Sequence, residues 1–473
     1  MFLDAFLKVL NNGRTIKNNM DIDLIRKYNV PGPRYTSYPT VPFWDKEGIK
    51  KSDWKNTFQK AFDESNDTEG ISLYIHLPFC ENLCTFCGCH KRITKRHDVE
   101  EPYIDTVLKE WQLYLKHFSE KPKIKEIHLG GGTPTFFSAE NLKKLITGIL
   151  EASDLMENHE FSFEGHPNNT TKEQLTTLYA LGFRRCSFGV QDYDPIVQKT
   201  INRIQPFENV ERVTKLARKI GYTSISHDLV FGLPKQNLQN IIDTINKTKE
   251  LKPDRIAFYS YAHVPWIKGV GQRGYDENDL PKDEVKRDLY EVGKQLFDKI
   301  GYVEVGMDHF ALKTDSMYNA MKEKTLHRNF MGYTSGKTAL MVGLGMSAIS
   351  DSWYSFAQNV KTVEEYQLVV NQGEIPLLRG HLLSEEDLII RKHILNIMCH
   401  FETSWKNVDQ QTPALLEGLN LLDEMKEDGL VVVKDNKLTV PEKGRLFVRN
   451  ICMCFDAKMI RNKPNTPLFS QTV

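Results

Sequence analysis

The chain has 473 residues, 40% hydrophobic and 26% charged, and its 62 basic and 62 acidic side chains cancel. That composition describes a globular protein with a sizeable core; it excludes a low-complexity chain and a generally basic surface for nucleic acid or anionic membrane. A local cationic pocket stays compatible with it.

The N-terminal "MFLDAFLKVLNNGRTIKNNM" has a short apolar start but no basic n-region and no small-residue cleavage site. No run approaches the roughly 18 apolar residues of a membrane span. We therefore expect a cytoplasmic protein, not bound to membrane, whose eight cysteines are metal ligands or buried thiols and not disulfides. Met20 is as good a start as Met1.

Residues 1–50 read as an N-terminal arm. Its stretch "NVPGPRYTSYPTVPFW" is rich in turn formers, with proline fixing the backbone at intervals, so an extended segment is expected over the active site, anchored by Tyr35, Tyr38 and Phe43. From 51 to 380 short apolar runs alternate with amphipathic ones. The runs are "ISLYIHL" from Ile71, "IKEIHL" from Ile124, "EFSFE" from Glu160, "RRCSFGV" from Arg184, "SISHDLVF" from Ser224 and "RIAFYSY" from Arg255. Between them "PYIDTVLKEWQLYLKHF", "AENLKKLITGILEA" and "FENVERVTKLARKIGY" repeat apolar residues at three and four. Strands apolar on both faces and separated by helices predict an α/β fold, a partial parallel β/α barrel whose chemistry sits after the strands' carboxyl ends.

The most unusual stretch follows the first strand: "HLPFCENLCTFCGCHKR", with Cys80, Cys84, Cys87 and Cys89. Three thiolates from one tight loop suit three irons of a [4Fe–4S] cluster and leave the fourth open for a chelating ligand. Zinc is the alternative, but no histidine stands at finger spacing and His90 crowds Cys89. A closed cluster would need Cys89, two residues past Cys87, to reach around the cube. On this reading Cys89 is spare.

The second strand runs into "GGGTPT" (Gly130 to Thr135), where backbone can approach a ligand closely, or which is a tight turn; the lysine of a phosphate loop is missing. Glu164, Gln191 and Asp228 end later strands and Arg203 opens a loop. Each alone is as well explained by a cap or an ion pair, but four polar side chains converge on one mouth. "GLGMS" near Gly345 is not a dinucleotide loop without a β-α-β context. Cys186, Cys399, Cys452 and Cys454 read as buried thiols. "MDHFA" and "LHRNF" fall near loops. Residues 381–473 change character: helices at "SEEDLIIRKHILNIMCHF" and "ALLEGLNLLDEMKEDGL", then the hairpin "VVVKDNKLTV", predict a small, mostly helical, winged-helix-like domain acting as a lid and not as a nucleic-acid binder.

The C-x3-C-x2-C loop after the first strand resembles that of the radical S-adenosylmethionine enzymes, in which a reduced [4Fe–4S] cluster splits the bound cofactor to a 5′-deoxyadenosyl radical. Beyond it, "PGPRYTSYPT", "PFCENLCTFCGCHK", "GVQDY", "HDLVFGLP", "YAHVP", "GMDHFA", "LHRNFMGYT", "GMSAIS" and "GRLFVRNICMCFD" are together similar to the oxygen-independent coproporphyrinogen III oxidase family. The resemblance implies anaerobic oxidative decarboxylation of two propionates of coproporphyrinogen III to vinyls, giving protoporphyrinogen IX for heme synthesis. It implies iron ligation by Cys80, Cys84 and Cys87. It also implies S-adenosylmethionine contacts at Tyr74, Phe86, Gly131, Gly132, Thr133, Glu164, Gln191, Arg203, Asp228, Ala262 and Ile349, with two such cofactors per chain. "EGHP" stands here where the best-known relatives carry Glu-Val-Asp-Pro.

For a tetracarboxylate substrate Arg34, His309 and Arg328 are candidate donors. The other expected partners are an electron donor and an acceptor, neither identified by the sequence; the chain is expected to be a monomer. The rivals are a heme-trafficking paralogue and a radical heme-degrading methyltransferase; Cys89, the "RYTSYPT" arm and the "RNICMCFD" tail resemble the oxidase. Replacing Cys80, Cys84 or Cys87 by Ala is expected to abolish iron binding in the reconstituted protein, whereas Cys89→Ala keeps it. Iron loss in the Cys89 variant overturns this ligand assignment.

Overall fold

The computed structural model describes residues 22–45, 48–265, 271–462 and 468–472. Met1 and Met20, and the apolar start between them, lie outside the described residues. A short helix, α1 (Ile22–Tyr28), opens the arm that the proline pattern had suggested was wholly extended. A second, α2 (Lys51–Ser65), leads into the sheet.

The six apolar runs form the strands β1 (Ile71–Leu77), β2 (Lys123–Gly131), β3 (Asp154–Gly165), β4 (Phe183–Gln191), β5 (Ser224–Phe231) and β6 (Arg255–Ser260). Between them lie α3 (Glu100–Leu115), α4 (Ala139–Glu151), α5 (Lys172–Ala180), α6 (Phe207–Ile220) and α7 (Leu238–Leu251). Helix α6 shows why these segments coil: Val210, Val213, Thr214 and Ala217 form one buried stripe, and Gly221 at φ +118° ends the helix in a left-handed turn.

After α8 (Asp283–Lys299) the sheet gains strands that periodicity had not marked. They are β7 (Tyr302–Gly306), β8 (His309–Leu312), β9 (Leu340–Leu344), β10 (Ile349–Asp351), β11 (Ser355–Asn359) and β12 (Leu377–Leu382). The order is β12-β11-β10-β9-β1-β2-β3-β4-β5-β6-β8-β7. Strand β9 pairs parallel with β1, and β1 to β6 are parallel throughout. The last strands on each side are antiparallel, and the two end strands each have a single neighbour, so the barrel is open. Because β11 is antiparallel to β10 and β10 to β9, β11 runs in the direction of β1. Its carboxyl end emerges at the same mouth.

Of the six parallel strands β1 to β6 only β1 is buried at every position; β2 and β6 carry half-buried residues, so the expectation of two fully covered faces holds at the centre. Beyond β12, α9 (Glu385–His400), α10 (Pro413–Asn420) and α11 (Val448–Phe455) surround a three-stranded sheet of Glu402–Ser404, Val432–Lys434 and Lys437–Thr439. The helical run from Ala414 is broken after Asn420 and resumes at Asp423–Glu427. Ile390, Ile394, Ile451 and Phe455 form a separate core with Tyr28, Tyr35 and Tyr38 of the arm, and Tyr35 donates to Asp456 (3.2 Å). The third expected anchor differs. Phe43 is half-buried, and its neighbour Trp44 is the buried ring, stacked on Phe356 at 5.3 Å. Of the four expected buried thiols, Cys186, Cys399 and Cys452 are buried and Cys454 is half-buried.

One buried carboxylate joins α3 to the loop after β9. Glu110 is fully buried and accepts from Tyr366 Oη (2.6 Å), Gly345 N (2.7 Å) and Asn359 Nδ2 (2.7 Å). Burial pushes its pKa up to about 7 against the pull of those donors. A carboxyl whose folded pKa exceeds its unfolded one stabilises most below the unfolded value and loses that contribution as pH rises to the folded one. We therefore expect the melting temperature of the wild type, relative to Glu110→Gln, to fall between about pH 5 and about pH 8. A pH-independent difference would mean that Glu110 titrates normally.

Candidate active site

The cysteine loop is held from three sides. From β2, Gly132 N donates to Leu77 O (2.9 Å) and Thr133 N to Phe79 O (3.0 Å), so the β1–β2 pairing runs on past the strands, and Cys80 Sγ lies 3.3 Å from Thr133 Oγ1. From the loop after β4, Thr85 N donates to Ile201 O (2.9 Å), Asn202 Nδ2 to Leu83 O (2.7 Å), and Arg203 Nη1 approaches Cys84 Sγ at 3.6 Å. From the segment after β6, Gly271 N donates to Cys87 O (3.2 Å), and Gln272 Nε2 donates to both Phe86 O (3.3 Å) and Ala262 O (2.7 Å). Burial pushes the Cys80 thiol up to about 11, whereas the Cys89 thiol beside it holds Cys87 down to about 6. Cys80, Cys84 and Cys87 are half-buried and Cys89 is exposed.

The glycine loop is fitted to this. Gly131 has φ +110°, and a Cβ there would stand 2.6 Å from the His76 ring; a Cβ on Gly132 would stand 2.5 Å from Pro78 O. Glu164 receives His128 Nε2 at 3.3 Å, and His128 Nδ1 meets Ser162 Oγ at 2.8 Å. Tyr74 lies between His128, stacked at 6.1 Å, and Phe330, edge-on at 4.7 Å, with its hydroxyl 3.0 Å from His76 Nδ1. Gln191 turns at φ +66° after a bulge in β4, and its side chain and Arg203 both crowd Gly189, whose carbonyl accepts from Arg203 Nη2 (2.6 Å). Asp228 accepts from Ser187 Oγ (3.0 Å); burial, then the Glu164 charge, pushes it up to about 7.

Structure thus gathers Tyr74, Gly131, Gly132, Thr133, Glu164, Gln191, Arg203 and Asp228 around the cysteine loop, with Phe86 and Ala262 joined through Gln272. Ile349 sits on β10, its carbonyl against Gly343. His309 and Arg328 lie on strands, not loops: His309 on β8, Arg328 on a two-stranded ribbon. Arg34 donates to Asp308 Oδ2 (3.0 Å) and Ser260 O (3.1 Å), and Arg328 donates to Arg34 O (3.2 Å) while its Nη1 stays without a partner. Burial holds His309 down to about 4, and its Nε2 meets Tyr259 Oη at 3.2 Å. Burial and then Asp228 push the Tyr259 hydroxyl well up, with Arg328, Glu164 and Arg34 also acting on it.

Residues 74–248 match the model of the Radical SAM superfamily. Over 458 residues, 96% of this chain and 98% of the relative, the chain is 36% identical to the oxygen-independent coproporphyrinogen III oxidase of Escherichia coli. With the enzyme of that name from Pseudomonas aeruginosa it shares 35% over 443 residues, 92% of this chain and 95% of the relative. The chain belongs to the oxygen-independent coproporphyrinogen III oxidase family. A solved structure described as the coproporphyrinogen III oxidase of Escherichia coli, a radical SAM enzyme, superposes with a TM-score of 0.85 at 35% identity, covering 93% of this chain and 99% of that one.

A [4Fe–4S] cluster and S-adenosylmethionine are accordingly the cofactors, and the residues present fit them. Three soft thiols share one loop, and Arg203 keeps a buried Nε without a partner beside them. Among the described residues no three His, Cys, Asp or Glu side chains gather as ligands of a single ion.

The sequence reading passed over His76, His128, Tyr259 and Gln272. The signal for the first two was present: Tyr74 and His76 share one face of β1 with Ser72, and His128 follows Glu126 at strand period in β2. Gln272, in a loop, carried none. Arg203→Ala should weaken S-adenosylmethionine binding about tenfold or more with iron retained, as expected for loss of a charge-assisted bond; equilibrium binding to the reconstituted protein checks it, and unchanged affinity removes Arg203 from the site.

Proposed function

We infer that this chain carries out the reaction of its family, the oxygen-independent oxidative decarboxylation of two propionate side chains of coproporphyrinogen III to vinyl groups, giving protoporphyrinogen IX. The single observation that supports it most is the interlock of a three-thiol loop with a glycine loop through Cys80 and Thr133 at the mouth of the barrel. Each propionate loses carbon dioxide, one hydrogen atom and one further electron; the hydrogen atom goes to the abstracting radical, and the electron leaves to an acceptor that is not part of this chain. When bound, the cluster and S-adenosylmethionine supply a hydrogen-abstracting radical without oxygen.

The chain's own residues do the rest. In this reading Cys80, Cys84 and Cys87 hold iron and Cys89 does not. The half-buried Glu164 and Asp228 accept from ribose hydroxyls, Arg203 takes a carboxylate, and Gly131, Gly132 and Thr133 bring backbone to the methionyl group. Tyr74, Phe86, Gln191, Ala262 and Ile349 complete the contacts for two S-adenosylmethionine molecules. Arg34, His309 and Arg328 face the substrate. His309, held neutral by burial, acts as a hydrogen-bond partner and not as a cation. Residues 51–380 form the catalytic barrel, 1–50 an arm across its mouth and 381–473 a lid. The arm's support comes from Arg34 on Asp308 and from Tyr35 in the C-terminal core. The protein works as a cytoplasmic monomer with a separate electron donor; no helix among the described residues is long and apolar enough to cross a membrane.

Anaerobic incubation with coproporphyrinogen III, S-adenosylmethionine and a low-potential reductant is expected to give a product lighter by two carbon dioxides and four hydrogens, read by mass. Tight stoichiometric heme binding without vinyl product would instead indicate a heme carrier, and transfer of a labelled methyl group to a tetrapyrrole would indicate a degrader.

A further inference from the structure

Three cations at the mouth have no carboxylate to face. Lys91 closes the cysteine loop, its Nζ donating to the carbonyls of Cys87 (3.3 Å) and Cys89 (3.2 Å). Lys361 follows the carboxyl end of β11, and Arg379 lies on β12 opposite Gln358. Since β11 runs with β1 and β12 against it, both emerge at the edge that carries the cysteine loop.

A chain of hydrogen bonds ties Arg379 to His90, the neighbour of Lys91 in the cysteine loop. Arg379 Nε donates to Gln358 Oε1 (2.7 Å), Gln358 Nε2 donates to Ser347 O (3.1 Å), and Ser347 Oγ meets His90 Nδ1 (2.5 Å). His90 O in turn meets His76 Nε2 (2.9 Å) under the glycine loop. Burial holds the His90 ring down to about 4, helped by Lys361, His76, Arg379 and Lys91, so His90 adds no charge at neutral pH. The nearby anions are engaged elsewhere: Asp45 with His381 (3.0 Å) and Glu364 with Arg92 (2.8 Å). Among the described residues no ion pair relieves Lys91, Lys361 or Arg379. Half-buried like charges brought together destabilise one another until an anion joins them.

We propose that Lys91, Lys361 and Arg379 form a carboxylate subsite on the rim of the mouth that holds a propionate of the tetrapyrrole. This rests on the substrate reading given above, which calls for cations toward a substrate that keeps two of its propionates. The carboxylate of S-adenosylmethionine is the other source of the same chemistry, and the experiment separates the two.

The probe is coproporphyrin III, the stable oxidised tetracarboxylate, titrated by fluorescence against the reconstituted wild type and against Lys361→Gln/Arg379→Gln. The double variant is expected to bind it about tenfold or more weakly, with a shallower salt dependence, because charge-assisted bonds are lost. Coproporphyrin tetramethyl ester should bind both proteins alike, and iron content and S-adenosylmethionine affinity should not change. Charge-preserving Lys361→Arg should keep the affinity, and Lys361→Gln alone carries the test if the double variant does not fold. Unchanged coproporphyrin affinity in a folded, iron-replete variant overturns the subsite while the family's reaction stands. A fall in S-adenosylmethionine affinity instead gives the cations to the cofactor and overturns the propionate assignment. A wild type that neither binds coproporphyrin III nor decarboxylates coproporphyrinogen III fails at the substrate reading itself.

Discussion

Everything at the mouth depends on two backbone bonds that carry the β1–β2 pairing past the ends of the strands, Gly132 N to Leu77 O and Thr133 N to Phe79 O. Through them the chain near residue 80 and the chain near residue 133 become one surface, and Cys80 meets Thr133. The approach is so close that side chains are excluded: the His76 ring fills the space a Cβ of Gly131 would take, and the Pro78 carbonyl fills that of Gly132. A slip of one residue between these strands would send every side chain on β1 to the other face and separate the cysteine loop from the glycine loop that accompanies it.

Further out, the cysteine loop is clamped by segments with little regular structure of their own, the turn at Ile201–Arg203 and the segment that begins at Gly271. The rigid sheet supplies the position of the cysteine loop, and these adaptable contacts supply its fit. The arm adds a second layer. It lays aromatic rings into the C-terminal core and brings Arg34 to Asp308 and Arg328.

Charge is divided across the mouth. Glu164 and the partly protonated Asp228 stand on β3 and β5, while Lys91, Lys361 and Arg379 stand on the side of β1, β11 and β12. A chain with no net charge still carries both signs of charge at this one mouth, with Arg203 beside Asp228. The histidines between them, His76, His90 and His309, are held near 4 by burial and act as neutral hydrogen-bond partners at physiological pH.

By itself the sequence determined the parallel strands β1 to β6, the helices between them and the three-thiol loop, because strand periodicity, helix periodicity and cysteine spacing are local patterns set by neighbours in the chain. Segments such as Leu340–Leu344 and Ser355–Asn359 escaped it. They are short and broken by glycine or polar residues, and they become strands only because β1 and one another offer unpaired backbone to bond to. For residues outside those local patterns, tertiary structure alone decided what they meet. Gln272 acquires its role from three carbonyl and amide groups that lie next to it in space, and Lys361 and Arg379 join Lys91 only because strand direction brings three distant stretches to one edge. Local pattern records what a residue does to its neighbours in sequence, whereas a contact between distant residues is settled by how the strands pair.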